Sequence, residues 1–324
     1  MPLRRWLSAA ILAGAVLPAC TPPDRPQWAL AVHAGAGSLA GVAPDELARI
    51  RAAVRQGLDA GTAVLTTGGR SVDAVQAAVR TMENSGVINA GRGAVLNHEG
   101  VAELDAAIMS GSDRAAGAVA AVRHIANPID LARKVMEAHK HVLLVADGAE
   151  QFAREQGMEL KPLDYFVTER RKREWQKALE QDAGAPQTHG TCGAVALDRN
   201  GDLAAATSTG GLTNKHAGRV GDSPLIGAGT YAENGACAVS ATGAGEYFIR
   251  YTAAADVCAR VRYGRQALGP AAREVIDRLK AAGGDGGLIA LDNDGTIATP
   301  YSSATMSRGW ARSDRAPEVI VESR

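Results

Sequence analysis

Residues 189–211 read HGTCGAVALDRNGDLAAATSTGG, and this stretch decides the fold. Two runs of small apolar residues, Thr191 to Asp198 and Asp202 to Ser208, flank Arg199-Asn200-Gly201. Asn-Gly between such runs predicts a β-hairpin, because the tight turn needs residues that tolerate positive φ. The hairpin folds Thr209 back towards Thr191, so two hydroxyls converge at its open end. The segment just before it, Asp182 to Gly190, has no periodicity and little to bury. A loose segment running straight into a rigid strand that begins with threonine is an unusual junction.

Outward from the hairpin, Trp28 to His33, His141 to Ala146, Cys237 to Thr242 and Leu288 to Asp292 read as further strands, the last pairing with Thr296 to Thr299 across Asn293-Asp294-Gly295. Ala34 to Gly37 reads as a turn after the first strand. Helical spacing of apolar residues covers Pro44 to Ala60, and a helix capped by Ser71 turns Val72, Val75, Val79 and Met82 inward. Further helices are predicted over Pro128 to Ala138, Glu246 to Tyr263 and Pro270 to Ala282. The charge run Glu169 to Glu174 opens a stretch, 169–190, that reads either as a solvated helix and loop or as a linker loose enough to be cut. Strands of small residues flanked by helices in both halves predict stacked sheets covered by helices.

Composition narrows the function. The chain has 324 residues, 35 basic against 35 acidic, and 4% aromatics. Zero net charge gives no footprint for nucleic acid, and so few rings give no stacking platform. Four cysteines are too few for a disulfide scaffold. Arg4 and Arg5 precede an apolar run to Leu17, which reads as an export signal over residues 1–19. It ends in Leu17-Pro18-Ala19-Cys20, resembling a bacterial lipobox, so Cys20 is the expected lipidation site and residues 20–27 a proline-rich tether. The expected location is periplasmic, with the membrane reached only through that lipid. Cys192, Cys237 and Cys258 read as three buried small side chains, although export permits one disulfide. His139 and His141 flank Lys140 without a further ligand and read as surface residues.

Lys215 to Pro224 places Arg219 and Asp222 three residues apart among glycines. Arginine suits a carboxylate through a bidentate fork and aspartate suits an ammonium, so together they could grip the backbone end of an amino acid. Thr242-Gly243-Ala244-Gly245-Glu246 ends a strand with a turn into a helix.

The chain resembles the plant-type asparaginase and isoaspartyl peptidase family of N-terminal nucleophile hydrolases over roughly residues 28–312. The resemblance is carried by residues 189–211, then by KHAGRVGDSPLIGAGTYA (215–232) and AVSATGAGEYFIR (238–250), and by HAGAG (33–37), INAGRGAVLN (88–97) and ELDAAIMSG (103–111). It implies an α+β fold, a four-layer αββα sandwich, and a precursor that cuts itself between Gly190 and Thr191. The products would be an α subunit, 28–190, and a β subunit, 191–324, assembling as a homodimer of αβ heterodimers. By the same resemblance Thr191 is the nucleophile and Thr209 its orienting neighbour. Arg219, Asp222 and Gly245 bind substrate, Thr242 and Gly243 form the oxyanion hole, and Asn89 lies near the active threonine. No cofactor is implied for the chemistry. A structural sodium ion is, held by main-chain carbonyls of Met82, Glu83, Ser85, Ile88, Ala90 and Arg92. The implied substrates are L-asparagine and β-aspartyl dipeptides.

Two other readings compete. The glycosylasparaginase branch shares the chemistry, but it has aspartate where Gly190 stands and asparagine where Gly210 stands. A non-catalytic periplasmic amino-acid-binding lipoprotein could use Arg219 and Asp222 equally well, but would not need a threonine after a loose segment. Cys192, where the family commonly has a small aliphatic residue, is set aside as a rival nucleophile because alternate residues of a strand face opposite ways.

Overall fold

The computed structural model describes residues 25–138, 140–180 and 190–322. Residues 1–24 lie outside it, and with them the export signal and Cys20; His139 and residues 181–189 lie outside it as well.

The described chain mixes helices with two sheets. The strands are β1 (Ala29–Gly37), β2 (Leu104–Ser110), β3 (Ala116–Val122), β4 (Leu143–Val145), β5 (Cys192–Leu197), β6 (Leu203–Thr209), β7 (Thr230–Glu233), β8 (Cys237–Gly243), β9 (Gly286–Leu291), β10 (Ile297–Ala298), β11 (Thr305–Arg312) and β12 (Arg315–Ile320). The helices are α1 (Pro44–Thr66), α2 (Ser71–Glu83), α3 (Pro128–Glu137), α4 (Ala146–Glu155), α5 (Glu169–Glu180), α6 (Gly245–Arg250), α7 (Ala253–Arg262) and α8 (Leu268–Ala281). The larger sheet runs β12-β11-β1-β5-β6-β2-β3-β4 and the smaller β10-β9-β8-β7.

Side-chain alternation builds the core. Along β1, Leu30 and Val32 join Ile50, Val54 and Leu58 of α1 and Val72, Val75, Val79 and Met82 of α2 in one apolar cluster. Ala29 and Ala31 point the other way, into a second cluster with Val195, Ala205, Ala238 and Ile289, where the sheets meet. Strands buried on both faces read as continuous apolar runs, which is why these segments lack a polar face. The outer face of the smaller sheet gives Val239 and Leu288 to a third cluster with Val257, Val275, Ile276 and Leu279 of α7 and α8.

The predicted hairpin forms with Leu197 opposite Leu203 and Cys192 opposite Ser208. Asp198 Oδ1 holds its turn by accepting the Asn200 N–H (2.9 Å) and the Asp202 N–H (3.1 Å). Asp198 Oδ2 accepts the Ser71 N–H at 2.8 Å. The α2 N-terminus is therefore served by a carboxylate 127 positions away rather than by the Ser71 side chain.

The structure departs from the sequence reading elsewhere. Ala34 to Gly37 continues β1, with a register shift between His33 and Ala36 in its pairing to β11. The helix expected over Glu246 to Tyr263 is broken at Thr252, held at φ 45°, ψ 49°. Cys237 and Cys258 form a disulfide, and Cys192 is a free, buried thiol. The stretch opening at Glu169 is not loose at its start. In α5, buried Arg171 donates through Nε to Gly93 O (2.6 Å), while Arg170 bonds Val87 O (2.6 Å) and pairs with Glu46 (2.9 Å). Among the described residues no helix is long and apolar enough to cross a membrane.

Candidate active site

The larger sheet brings β1, β5, β6 and the 89–93 turn to one point, the Gly190–Thr191 peptide bond. Thr191 Oγ1 lies 2.7 Å from Gly190 O and 3.1 Å from Thr209 Oγ1. Thr209 Oγ1 lies 3.0 Å from Gly190 O and accepts the Gly211 N–H at 2.9 Å. Asn89 donates from Nδ2 to Gly190 O (2.7 Å) and Gly211 O (2.8 Å), while its Oδ1 accepts the Val95 N–H (2.9 Å). Every polar atom of the Asn89 amide is thus used, which fixes its orientation. One carbonyl, Gly190 O, gathers donors from Asn89, Thr209 and Thr191. Hydrogen bonds to a carbonyl oxygen favour the charge that builds there when its carbon is attacked.

Close packing enforces this arrangement. Gly35, at φ +103°, lies against the bond: a β-carbon there would sit 3.0 Å from Gly190 Cα and 3.3 Å from Thr191 N. A β-carbon on Gly190 would meet Asn89 Cβ at 2.8 Å. Thr242 Oγ1 accepts the Ala36 N–H at 3.3 Å, tying the end of β8 to this stretch of β1. At Gly243, φ +145°, a β-carbon would collide with Asp285 O.

The charged part of the site stands on the loop between β6 and β7. Arg219 and Asp222 flank Gly245, where a β-carbon would be 2.8 Å from Asp222 Oδ1 and 3.1 Å from Arg219 Nη2. The carboxylate of Asp222 is buried and its Oδ2 has no hydrogen-bond partner. Burial pushes its pKa up to about 6, against the pull of Arg219. Behind Arg219 lies a buried charge cluster that the sequence reading missed. Lys215 Nζ donates to Glu103 O at 3.0 Å; burial lowers its pKa and raises that of Asp105, and their mutual attraction opposes both shifts.

His33 was also missed as a participant. It is fully buried, with Nε2 2.9 Å from Ser240 Oγ, which lies 2.7 Å from Thr207 Oγ1. Burial drives its pKa down to about 3, opposed by the neighbouring Thr191 backbone, so the ring is neutral. Both His33 and Lys215 sit inside the quoted motifs, yet nothing in a linear sequence shows that they are interior. Cys192 points into the helix-side cluster and burial raises its pKa well above the ordinary value, which excludes it as a thiolate at neutral pH.

A cavity of about 120 Å³ opens on the Gly190 side of the bond, lined by Gly35, Asn89, Arg170, Arg171 and Thr305. Neither Arg219 nor Asp222 lines it.

The expected sodium loop offers neutral, hard oxygens, the right chemistry for an alkali cation. Met82 O already accepts the Ser85 N–H (3.2 Å), the Ser85 hydroxyl (2.7 Å) and the Asn84 N–H, so it is the poorest donor to a metal. Ile88 O and Ala90 O each accept one N–H, at 2.9 and 3.1 Å, and keep a second lone pair.

The chain is similar to known proteins over most of its length. A family profile described as Asparaginase matches residues 26–321. The isoaspartyl peptidase of Salmonella typhimurium is 45% identical over 306 residues, covering 90% of this chain and 97% of that protein. That of Escherichia coli is 44% identical over 305 residues, with 90% and 95% covered. The mouse isoaspartyl peptidase/L-asparaginase is 45% identical over 285 residues, with 86% of each covered.

Proposed function

The chain belongs to the asparaginase family, and from that premise we propose that it is an autoprocessing amidohydrolase acting on L-asparagine and β-aspartyl dipeptides. The observation that carries the reading is the Gly190 carbonyl, held by Asn89 and Thr209 beside the Thr191 hydroxyl. The hydroxyl attacks that carbonyl carbon, the C–N bond breaks, and the ester formed is hydrolysed by water. Gly190 then ends one fragment and Thr191 begins the other with a free amine. That amine, with a typical pKa of about 7.7–8.0, is a base placed beside the nucleophile it must deprotonate.

In turnover, Thr191 Oγ attacks the side-chain carbonyl of the substrate. Arg219 holds the substrate α-carboxylate and Asp222 its α-ammonium. The Thr242 hydroxyl and Gly243 N–H receive the developing oxyanion, and Thr209 orients Thr191. Ammonia or an amino acid leaves, and water releases aspartate from the Thr191 ester. Both substrate types fit because the aspartyl part is gripped in one way while the leaving group differs.

The same reading takes the two sheets and their flanking helices as a four-layer αββα sandwich, the αβ unit as half of a homodimer, and a sodium ion as held by Glu83, Ser85, Ile88, Ala90 and Arg92, with Met82 the weakest ligand. The same reading has the chain exported by a signal over residues 1–19, from Arg4, Arg5 and the apolar run to Leu17, with lipid attached at Cys20 after Leu17-Pro18-Ala19.

Mass spectrometry of purified protein tests the core of the proposal. Two fragments, the second starting at Thr191, with turnover of asparagine and β-aspartyl dipeptides, support it. An uncut chain with full activity overturns it.

A further inference from the structure

Arg219 has a second carboxylate neighbour besides Asp222. Glu246 Oε1 lies 3.0 Å from Arg219 Nε and 2.9 Å from Nη2. A guanidinium has two edges able to hold a carboxylate, the Nε/Nη2 side and the Nη1/Nη2 end. We propose that Glu246 is a positioning residue that occupies the side edge of Arg219 and thereby offers only the Nη1/Nη2 end to the substrate α-carboxylate. This deepens the reading above and rests on it.

The surroundings of Arg219 support the assignment. The end edge borders three glycines. A β-carbon would lie 2.9 Å from Nη1 at Gly221, 3.3 Å from Nη1 at Gly211 and 3.1 Å from Nη2 at Gly245. Those positions keep side chains away from the Nη1/Nη2 end. The Gly245 position also lies 2.8 Å from Asp222 Oδ1. The carboxylate and ammonium of an α-amino acid share one carbon, so their two receptors must converge, and the end edge converges with Asp222. Glu246 stands on the solvent side, its side chain 54% exposed against 16% for Arg219. It is therefore placed to hold Arg219 without blocking the approach to Asp222.

Steady-state kinetics of Glu246→Ala and Glu246→Gln test this, with L-asparagine, a β-aspartyl dipeptide and asparagine α-amide as substrates. Glu246→Ala frees the guanidinium to rotate, and KM for L-asparagine rises about tenfold with kcat within twofold, the size expected for weakening one charge-assisted hydrogen bond. Glu246→Gln restores most of the affinity, because its amide oxygen accepts the same two N–H groups. The penalty for replacing the substrate α-carboxylate by an amide shrinks in Glu246→Ala, an effect that a merely structural role does not produce. Self-cleavage at Thr191 reports that each variant folds; if Glu246→Ala does not cleave, Glu246→Gln with KM on asparagine within about threefold of wild type and an α-amide penalty within about twofold supports the proposal, and a larger departure in either overturns it. An unchanged or lowered KM in a folded Glu246→Ala, the latter meaning that Glu246 competes with substrate, overturns the inference alone. A wild type inert on asparagine and dipeptide overturns the underlying reading and the inference with it.

Discussion

The two sides of the site are built from opposite materials. The side chains that hold the Gly190–Thr191 bond are neutral: the hydroxyls of Thr191 and Thr209 and the Asn89 amide, with an uncharged His33 beneath them. Across from them, Arg219, Asp222, Glu246, Lys215 and Asp105 form a dense knot of charge. Neutral dipoles can be fixed in a dry interior at little desolvation cost, and there they stabilise charge that appears only during reaction. Full charges are costly to bury, so they sit in compensating sets and recognise charge that the ligand already carries. The hydroxyl side should therefore govern kcat, and the charged side KM.

Thr191→Ala tests that division most severely. On the proposed mechanism it removes the nucleophile, so self-cleavage stops and turnover falls by at least about 10⁴-fold. Electrophoresis and a coupled ammonia assay read both losses, and residual cleavage would break the comparison outright. Thr242→Ala removes one oxyanion donor and lowers kcat by about 10²–10³-fold with little change in KM. Arg219→Ala gives the converse, a KM raised by about 10–100-fold with kcat far less affected, from the loss of charged hydrogen bonds to the substrate. A kcat-dominated loss there would place Arg219 among the reacting groups.

The pH profile sharpens the contrast. Burial first, then Glu246 and Asp105, hold the Asp222 carboxyl at about 6, despite Arg219. Asp222 must be ionised to grip an ammonium, so binding fails as pH drops through that value. In the proposed mechanism the Thr191 amine freed by cleavage, typically near 7.7–8.0, must be unprotonated to act as base, so it fails first as pH falls. The slope of log(kcat/KM) against pH therefore goes from about one towards about two below pH 6. Asp222→Asn removes the second step and keeps the first. The smallest kinetic effect belongs to a feature outside both regions. Replacing Cys237 and Cys258 with alanine costs about 2–4 kcal/mol of stability, seen in thermal melts, and leaves kinetics within about twofold.

The sequence made the neutral side more legible than the charged one. The hairpin, with Thr209 folding onto Thr191, follows from alternation and an Asn-Gly turn, both local signals. Arg219 and Asp222 were visible as a pair, but Lys215 and Asp105 come from different elements, and only the larger sheet brings them together. The disulfide was missed for a similar reason, since β8 and α7 make it by packing. Thr252, bent into the left-handed region, carries no glycine or proline to announce the break between α6 and α7. The anchoring of α5 depends on Arg171 entering the core, where charge-run arithmetic expects a solvated face.

The order of the larger sheet has a consequence for refolding. Its strands come from both sides of residue 190: β1 lies between β11 and β5, and β2 beside β6. If the chain is cut between Gly190 and Thr191 as proposed, the two polypeptides remain interlaced by main-chain hydrogen bonds across this sheet, and neither owns all of its strands. A melted precursor can reassemble by itself at any dilution. A melted cut enzyme would have to find its missing half again, so recovery would depend on concentration, and survival would rest on how slowly the halves part.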